Sequence, residues 1–387
     1  MTHLLLFIIY LAFISLGLPD AMLGSAWPSI YKVFDVPVSY AGIISIIISA
    51  GTIFSSLQSD RLTRLLGTGK VMAVSVALTA AALFGFSVSS SYWHLILWAI
   101  PYGLGAGNVD AALNNYVALH YKSYHMSWLH CMWGLGAASG PYIMGYALTN
   151  GKGWNMGYRY VMILQIILTA ILVFSLPLWK SRDAEGSPEA ASSKPLSIAQ
   201  IFALPGAKEI LLAFFGYCAL EQTVILWASS YLVLHRGFSS EAAASFGSMF
   251  LIGITLGRAV SGFITMKLSD TQMIRLGEGI LGLGLLFILL PLGNTGCVIG
   301  LILVGLGCAP IYPCIIHSTP VHFGAENSQA VIGIQMASAY VGSLAMPAVF
   351  GLIANHISIT LFPVFLLLLL ILMTAMYEKL EKLSPSR

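Results

Sequence analysis

Residues 181–200 read SRDAEGSPEAASSKPLSIAQ. This is the longest polar stretch of the chain. Its Ser, Ala, Pro and charge give it the composition of a linker. On either side the sequence is apolar. Of 387 residues, 58% are hydrophobic and only 9% are charged, with a mean hydropathy of +0.86. A soluble domain carries roughly 25% charged residues. The apolar residues come in long runs, and about 20 helical residues cross roughly 30 Å of hydrocarbon. Six runs precede the linker, at roughly 4–31, 38–58, 69–90, 92–119, 126–149 and 157–180. Six follow it, at roughly 208–235, 240–266, 272–293, 296–319, 327–354 and 358–377. The expected fold is an all-α polytopic membrane protein of twelve transmembrane helices in two six-helix bundles. The expected organisation is an N-terminal bundle over 1–180, a cytoplasmic linker over 181–207, and a C-terminal bundle over 208–387 ending in a short tail.

These figures exclude soluble, collagen-like and disordered chains. A net charge of +3 gives no reason to expect nucleic acid as a partner; the lipid bilayer is the expected one. The five cysteines, Cys131, Cys218, Cys297, Cys308 and Cys314, all fall within apolar runs. None forms a CxxC or a Cys/His metal spacing, so they read as small hydrophobes. No Lys or Arg precedes the first run, and Asp20 interrupts it, so a first span is expected rather than a cleaved signal peptide.

The cations set the orientation. With both termini cytoplasmic, 13 of the 18 Lys and Arg fall in cytoplasmic segments. Lys32, Lys152, Arg159 and Arg236 lie on the opposite side, and Arg258 lies inside a span. This asymmetry predicts a multi-pass protein of the inner or plasma membrane with cytoplasmic N- and C-termini.

The two halves echo each other. Span five carries Gly136, Pro141 and Gly145; span eleven repeats the pattern as Gly342, Pro347 and Gly351, offset by 206 residues. At that offset Gly51 falls on Gly257. Gly103-Leu104-Gly105 in span four matches Gly305-Leu306-Gly307 in span ten, offset by 202. Together these matches favour a duplicated six-plus-six transporter, with small residues letting helices approach closely.

A charge within hydrocarbon costs about 2.5–3.5 kcal/mol on insertion scales and is a functional hypothesis by default. Asp20, Asp110, Glu221 and Arg258 lie within spans; Glu278 lies near the start of span nine and reads as interfacial. Asp20 sits midway along span one. On a continuous helix Gly24, Trp27 and Tyr31 share its face, an acidic and aromatic surface suited to a wet cavity. Asp110 shares a stripe of span four with Gly103, Gly107 and Asn114. Removing a carboxylate from water favours its protonated form, which is what a proton-coupling group requires. Span five adds His130 and Trp133, one turn apart. The expected proton-coupling residues are Asp20 and Asp110. The expected substrate contacts are Trp27, Asn114, His130 and Trp133, with Glu221 and Gln335 from the C-terminal half. Glu221 and Arg258 also pair naturally, reading first as a tie within that half. At the end of span two, Asp60 and Arg61 suggest a charge latch between adjacent helices.

No G-x4-G-K-[ST], H-E-x-x-H or G-x-S-x-G is present, so neither an ATP-driven pump nor an enzyme is expected, and no cofactor.

The twelve spans, two halves and central linker resemble the major facilitator superfamily over nearly the whole chain. Ser59-Asp60-Arg61 is similar to that superfamily's G-x-x-x-D-R-x-G-R-[KR] signature between spans two and three. Ser56 replaces the usual Gly, and the basic cluster is displaced to Arg64 and Lys70. Within the superfamily the chain most resembles the fucose:proton symporter family and its relatives. Asp110-Ala-Ala-Leu-Asn-Asn-Tyr-Val is similar to an acidic residue followed by an Asn-Pro-Tyr-Val-like segment, with Asp110 replacing Glu and Asn115 replacing Pro. Asp20 matches the family's acid in span one. Leu129-His130, Gly134-Leu135-Gly136 and Pro141 resemble a span-five pattern, and Gly253, Gly257-Arg258 and Gly262 a span-eight one. In that family the two acids bind sugar and carry the proton, and the resemblance implies those roles for Asp20 and Asp110. The expected activity is proton-coupled symport of a sugar or similar small polar solute by a monomer, with sodium as the alternative ion. The alternatives are a proton-coupled antiporter exporting drugs or metabolites and, last, a non-transporting sensor.

Overall fold

The computed structural model describes residues 2–37, 40–183, 196–238, 243, 246 and 249–384. Among them there is no strand. The first six spans are built from α1 (Thr2–Gly17), α2 (Met22–Val33), α3 (Tyr40–Leu66), α4 (Thr68–Ser87), α5 (Tyr92–His120), α6 (Ser123–Thr149) and α7 (Gly153–Asp183). A short α8 (Ile198–Ala203) precedes α9 (Ala207–Leu234), α10 (Met249–Ile264), α11 (Asp270–Leu289), α12 (Gly293–Phe323), α13 (Ala325–Ile353) and α14 (Phe362–Leu383). Every expected span is occupied by helix among the described residues, with α1 and α2 sharing the first. Span eight is described as α10 from Met249; residues 239–242, 244, 245, 247 and 248 lie outside the described residues. So do residues 184–195 of the expected linker. Its described remainder contains α8, opened by a reciprocal Ser197–Gln200 capping box that satisfies two end donors.

Among the described residues, eight helical segments are long and apolar enough to cross a membrane. Neither α5 nor α6 is among them, although they are 29 and 27 residues long. Their Asp, Asn, Ser and His residues lower the hydropathy, and these are the helices that carry the candidate site. Outward faces are apolar instead: Phe174 is 84% exposed and Trp93 71%. A bilayer covers such surface at no cost, whereas water does not. The protein is a multi-pass membrane protein.

The chain forms two compact units. One comprises Met1–Tyr116 and Leu129–Pro195, the other Val117–Trp128 and Leu196–Arg387. The turn between α5 and α6 thus counts with the second unit. Tight inter-helix turns rely on glycine: Gly67 (φ 80°) alone separates α3 from α4, and Gly324 (φ 81°) alone separates α12 from α13. Both sit in a region that side chains disfavour.

Each unit packs its helices by the same small-residue contacts. A Cβ on Gly51 would lie 3.2 Å from the Gly103 Cα, and one on Gly253 3.2 Å from the Gly305 Cα. A Cβ on Gly105 would lie 2.7 Å from the Ser75 carbonyl oxygen, and one on Gly307 2.7 Å from that of Gly277. All these pairs are related by 202 residues. The packing partner of Gly51 in the repeat is therefore Gly253, one turn before the expected Gly257. That glycine instead accommodates the side chain of Ala309. Sequence identity at an offset cannot separate two glycines on one helix face, but backbone contact does.

Candidate substrate and proton-coupling site

The first span is not continuous. Pro19 has no N–H to donate, and Gly17 is a poor helix former. The ladder gives way between α1 and α2 to three-residue turns, Asp20 N–H to Gly17 O at 3.1 Å and Met22 N–H to Pro19 O at 3.1 Å. Asp20 stands on this break. Its neighbours Gly17, Leu18, Pro19 and Met22 are buried, yet Asp20 itself is exposed. A carboxylate midway along a span is tolerable where it faces water rather than lipid.

Two aromatic side chains hold it. The Trp133 indole donates from Nε1 to Oδ2 at 2.9 Å, and the Tyr102 hydroxyl donates to Oδ1 at 3.0 Å. Trp133 reaches Asp20 because α6 lies directly against the break. A side chain on Gly17 would overlap the Trp133 carbonyl, one on Gly136 that of Ile14, and one on Gly140 that of Leu18. From the other side, the buried pair Ser15 and Gln165 ties α1 to α7: the hydroxyl donates to Gln165 Oε1 at 2.6 Å, and Gln165 Nε2 donates to the Ser15 carbonyl at 2.7 Å. A small cavity lined by Pro19, Thr79, Tyr102 and Gln165 adjoins these contacts.

Asp110, Asn114 and His130 form a second chain of contacts, all buried. Asn114 Nδ2 donates to Asp110 Oδ1 at 2.8 Å and to the Asp110 carbonyl at 2.9 Å. Asn114 Oδ1 lies 3.0 Å from His130 Nε2. A carboxylate is acceptor-only, so the amide oxygen must face the imidazole, and His130 donates from Nε2. Carboxylate, amide and imidazole are thereby linked across α5 and α6. The expected residues Asp20, Trp133, Asp110, Asn114 and His130 are brought together as two such groups, with α6 contributing to both.

Others are placed elsewhere. The break interrupts the face that Asp20 was expected to share, and Trp27 packs edge-on to Tyr92, with ring centroids 6.4 Å apart, in an apolar core cluster. In the second unit Glu221 pairs with the buried Arg258 at 3.5 Å, as expected. Gln335 is fully buried and accepts from Thr319 at 3.0 Å. Helix α3 runs on to Leu66, so Asp60 lies inside it and pairs with Arg64, one turn on, at 2.8 Å. Arg61 is exposed; the ion pair is within one helix rather than across two. Glu278, which read as interfacial, is buried in α11.

A family model described as the Major Facilitator Superfamily matches residues 9–297. The chain belongs to that superfamily. It is 22% identical to "Bypass of stop codon protein 6" of Saccharomyces cerevisiae, over 96% of this chain and 81% of the relative. It is 21% identical to the glucose/mannose transporter GlcP of Bacillus subtilis, over 91% and 88%. Among solved structures it is similar to the E. coli fucose:proton symporter, with a TM-score of 0.77 at 13% identity, covering 96% of this chain and 98% of that one. The superfamily's fold and relatives are those of transporters and not of enzymes, and this chain is a membrane transporter.

For a superfamily member, the site residues missed from sequence are Tyr102 and Gln165. Tyr102 lies one position off the Gly103–Gly107–Asp110–Asn114 stripe. Its only signal is a hydroxyl within the apolar run Pro101-Tyr102-Gly103. Gln165 is the lone amide in span six, a polar group that needs a partner in hydrocarbon.

Proposed function

We propose that the protein imports a small polar solute, foremost a sugar, with protons by alternating access. The observation that carries this reading is Asp20. It is a carboxylate on a helix break, open on one side and fixed on the other by the Trp133 and Tyr102 donors. Unwound backbone at a broken helix is how such carriers build midplane sites. An oriented carboxylate accepts from sugar hydroxyls, and a neighbouring indole face covers the apolar face of a pyranose. The named activities of the B. subtilis relative and the E. coli structural neighbour support the same solute class.

Coupling follows from charge. An ionised, unfilled carboxylate costs more to carry through the reorientation than a protonated one. Protonation of Asp110, which the Asn114–His130 chain holds in place, neutralises the site and permits the loaded carrier to turn over. Deprotonation on the cytoplasmic side then releases the solute. Asp20 and Asp110 are the coupling groups in this reading. Asn114, His130 and Trp133 are the proposed solute contacts of the first unit, and Gln335 and Glu221 are those proposed for the second, taken by itself. The coupling ion is the proton, with sodium the alternative. The protein acts as a monomer in the plasma or inner membrane with both termini cytoplasmic, and needs no cofactor.

The test is uptake of a labelled sugar panel into proteoliposomes under a pH gradient, wild type beside Asp110→Asn, with a sodium gradient run in parallel. Gradient-driven accumulation lost in Asp110→Asn, with exchange retained, supports the reading. Accumulation driven by sodium alone replaces the ion. No sugar flux in folded wild-type protein overturns the sugar assignment and turns the search to export.

A further inference from the structure

The coupling residues do not account for a half-buried ionisable cluster in the second unit. Asp270 is the first residue of α11, and His317 lies near the end of α12. His317 Nδ1 is 2.6 Å from Asp270 Oδ2. The other ring nitrogen, Nε2, is 3.0 Å from the Tyr121 carbonyl oxygen, in the turn joining α5 to α6. The remaining Asp270 oxygen accepts from the Ser123 hydroxyl, at the start of α6. The Asp270–His317 pair is therefore tied at two points to the Val117–Trp128 segment, which packs with the second unit.

The geometry counts protons. A carbonyl oxygen only accepts, so Nε2 must carry a hydrogen. A carboxylate only accepts, so Nδ1 must carry one as well, unless the carboxyl itself carries it. In either arrangement the pair holds one proton more than neutral imidazole and ionised carboxylate. Removing that proton leaves one ring nitrogen bare, so that either Nδ1 faces Asp270 Oδ2 or Nε2 faces the Tyr121 carbonyl as two acceptors, a contact that costs more than the bond was worth.

We propose that His317 and Asp270 form a proton-binding site, separate from Asp20 and Asp110, whose occupancy clasps the α5–α6 turn. With the proton bound, the turn is held through Tyr121 and Ser123; with the proton lost, one strand of the clasp becomes repulsive. The sign is fixed: the clasp is complete at low pH and weakens as pH rises. The other titratable groups around it are Cys314 on α12, 4.0 Å from the Ser123 hydroxyl, and Tyr377 and Glu381 of α14, which reach Thr271 beside Asp270. Lys122 lies on the turn itself and His125 in the first turn of α6, and His322, further along α12, lies against Glu381. None of these supplies a second cation to the Asp270 oxygens among the described contacts. The turn links α5, which carries Asp110, to α6, which carries His130 and Trp133, so the clasp places a proton-dependent restraint on the helices of the candidate site.

The test is hydrogen–deuterium exchange of full-length protein in nanodiscs, without substrate, at several pH values and corrected for intrinsic exchange. The readout is the peptide covering Val117–Trp128. Wild type is expected to lose protection by about tenfold as pH rises, the equivalent of one hydrogen bond to a charged group. His317→Gln and the near-isosteric Asp270→Asn are each expected to flatten that step, while Asp110→Asn keeps it. A flat wild-type profile overturns the proposal without any variant. A step that persists in either folded His317→Gln or Asp270→Asn, or that vanishes in Asp110→Asn, overturns it as well. No sugar or transport activity enters the readout, so its outcome is separate from that of the transport reading.

Discussion

Asp20 shows how one residue depends on three helices. Its two oxygens have different donors, an indole from α6 and a phenol from α5. Replacing Trp133 by Phe keeps a ring and removes the donor, and Tyr102→Phe does the same on the other side. A hydrogen bond to a charged group is worth about 1.5–3 kcal/mol. Each variant is expected to lower kcat/KM for gradient-driven uptake by about tenfold or more, with a melting temperature close to wild type. Trp27→Phe is expected to act the other way round, lowering thermal stability through the core cluster while leaving KM nearly unchanged. An effect of Trp27→Phe on KM comparable to that of Trp133→Phe defeats this assignment. Asp20 and Asp110 were legible in the sequence because a charge in hydrocarbon stands out. Tyr102 was not, because a tyrosine beside a proline and a glycine looks like any membrane tyrosine until its hydroxyl has a partner.

At the scale of the element, close helix contact decides what a glycine does. Gly136 lies under the Ile14 carbonyl, whereas Gly134, half a turn away on the same helix, has open space in front of it. Gly136→Ala forces α1 and α6 apart and is expected to destabilise by about 1–3 kcal/mol. Gly134→Ala is expected to be neutral or slightly stabilising through helix propensity. Detergent thermostability of the two variants side by side checks this; equal melting temperatures refute it. The Glu221–Arg258 pair belongs to the same scale, joining α9 to α10. Breaking a buried pair from one side leaves an uncompensated charge and costs about 3–5 kcal/mol. Glu221→Met alone is therefore expected to abolish folded protein on size exclusion, and Glu221→Met with Arg258→Met to restore it. If the restored double variant also transports normally, the pair is a tie; if it is folded and inactive, the pair contacts the solute. The existence and order of these helices followed from apolar period and length. The break at Leu18–Ala21 was readable only in part: Gly17 and Pro19 mark a weak point, but whether a ladder breaks there depends on what packs against it.

For the whole molecule, the asymmetry of its cations predicts the topology. Cysteines placed at Asn150 and Lys382, in a background without the native five, are expected to label from opposite faces of the membrane. Lys382→Cys reacts from the cytoplasmic side and Asn150→Cys from outside. Labelling of both from one side contradicts the expected orientation. The repeat is a property of this scale too. Each unit closes on the same glycine contacts, 202 residues apart, though few other residues match, because packing in lipid selects for smallness at contact points and tolerates any apolar residue elsewhere.

What the sequence by itself determined is the class of protein. Hydrocarbon admits few charges and requires helices about 20 residues long, and that constraint is written into every span and into the placement of the cations. It also singled out the acids, since each buried charge needs a reason. The tertiary structure alone decided their partners. Trp133 joins Asp20, and His130 joins Asp110 through Asn114, across sequence separations of 113 and 20 residues; His317 joins Asp270, an acid that no span pattern marked, across 47. Trp27, seven residues from Asp20, falls into the core instead. Hydrogen bonds are short-ranged and directional, so they depend on how helices meet, which no local pattern records.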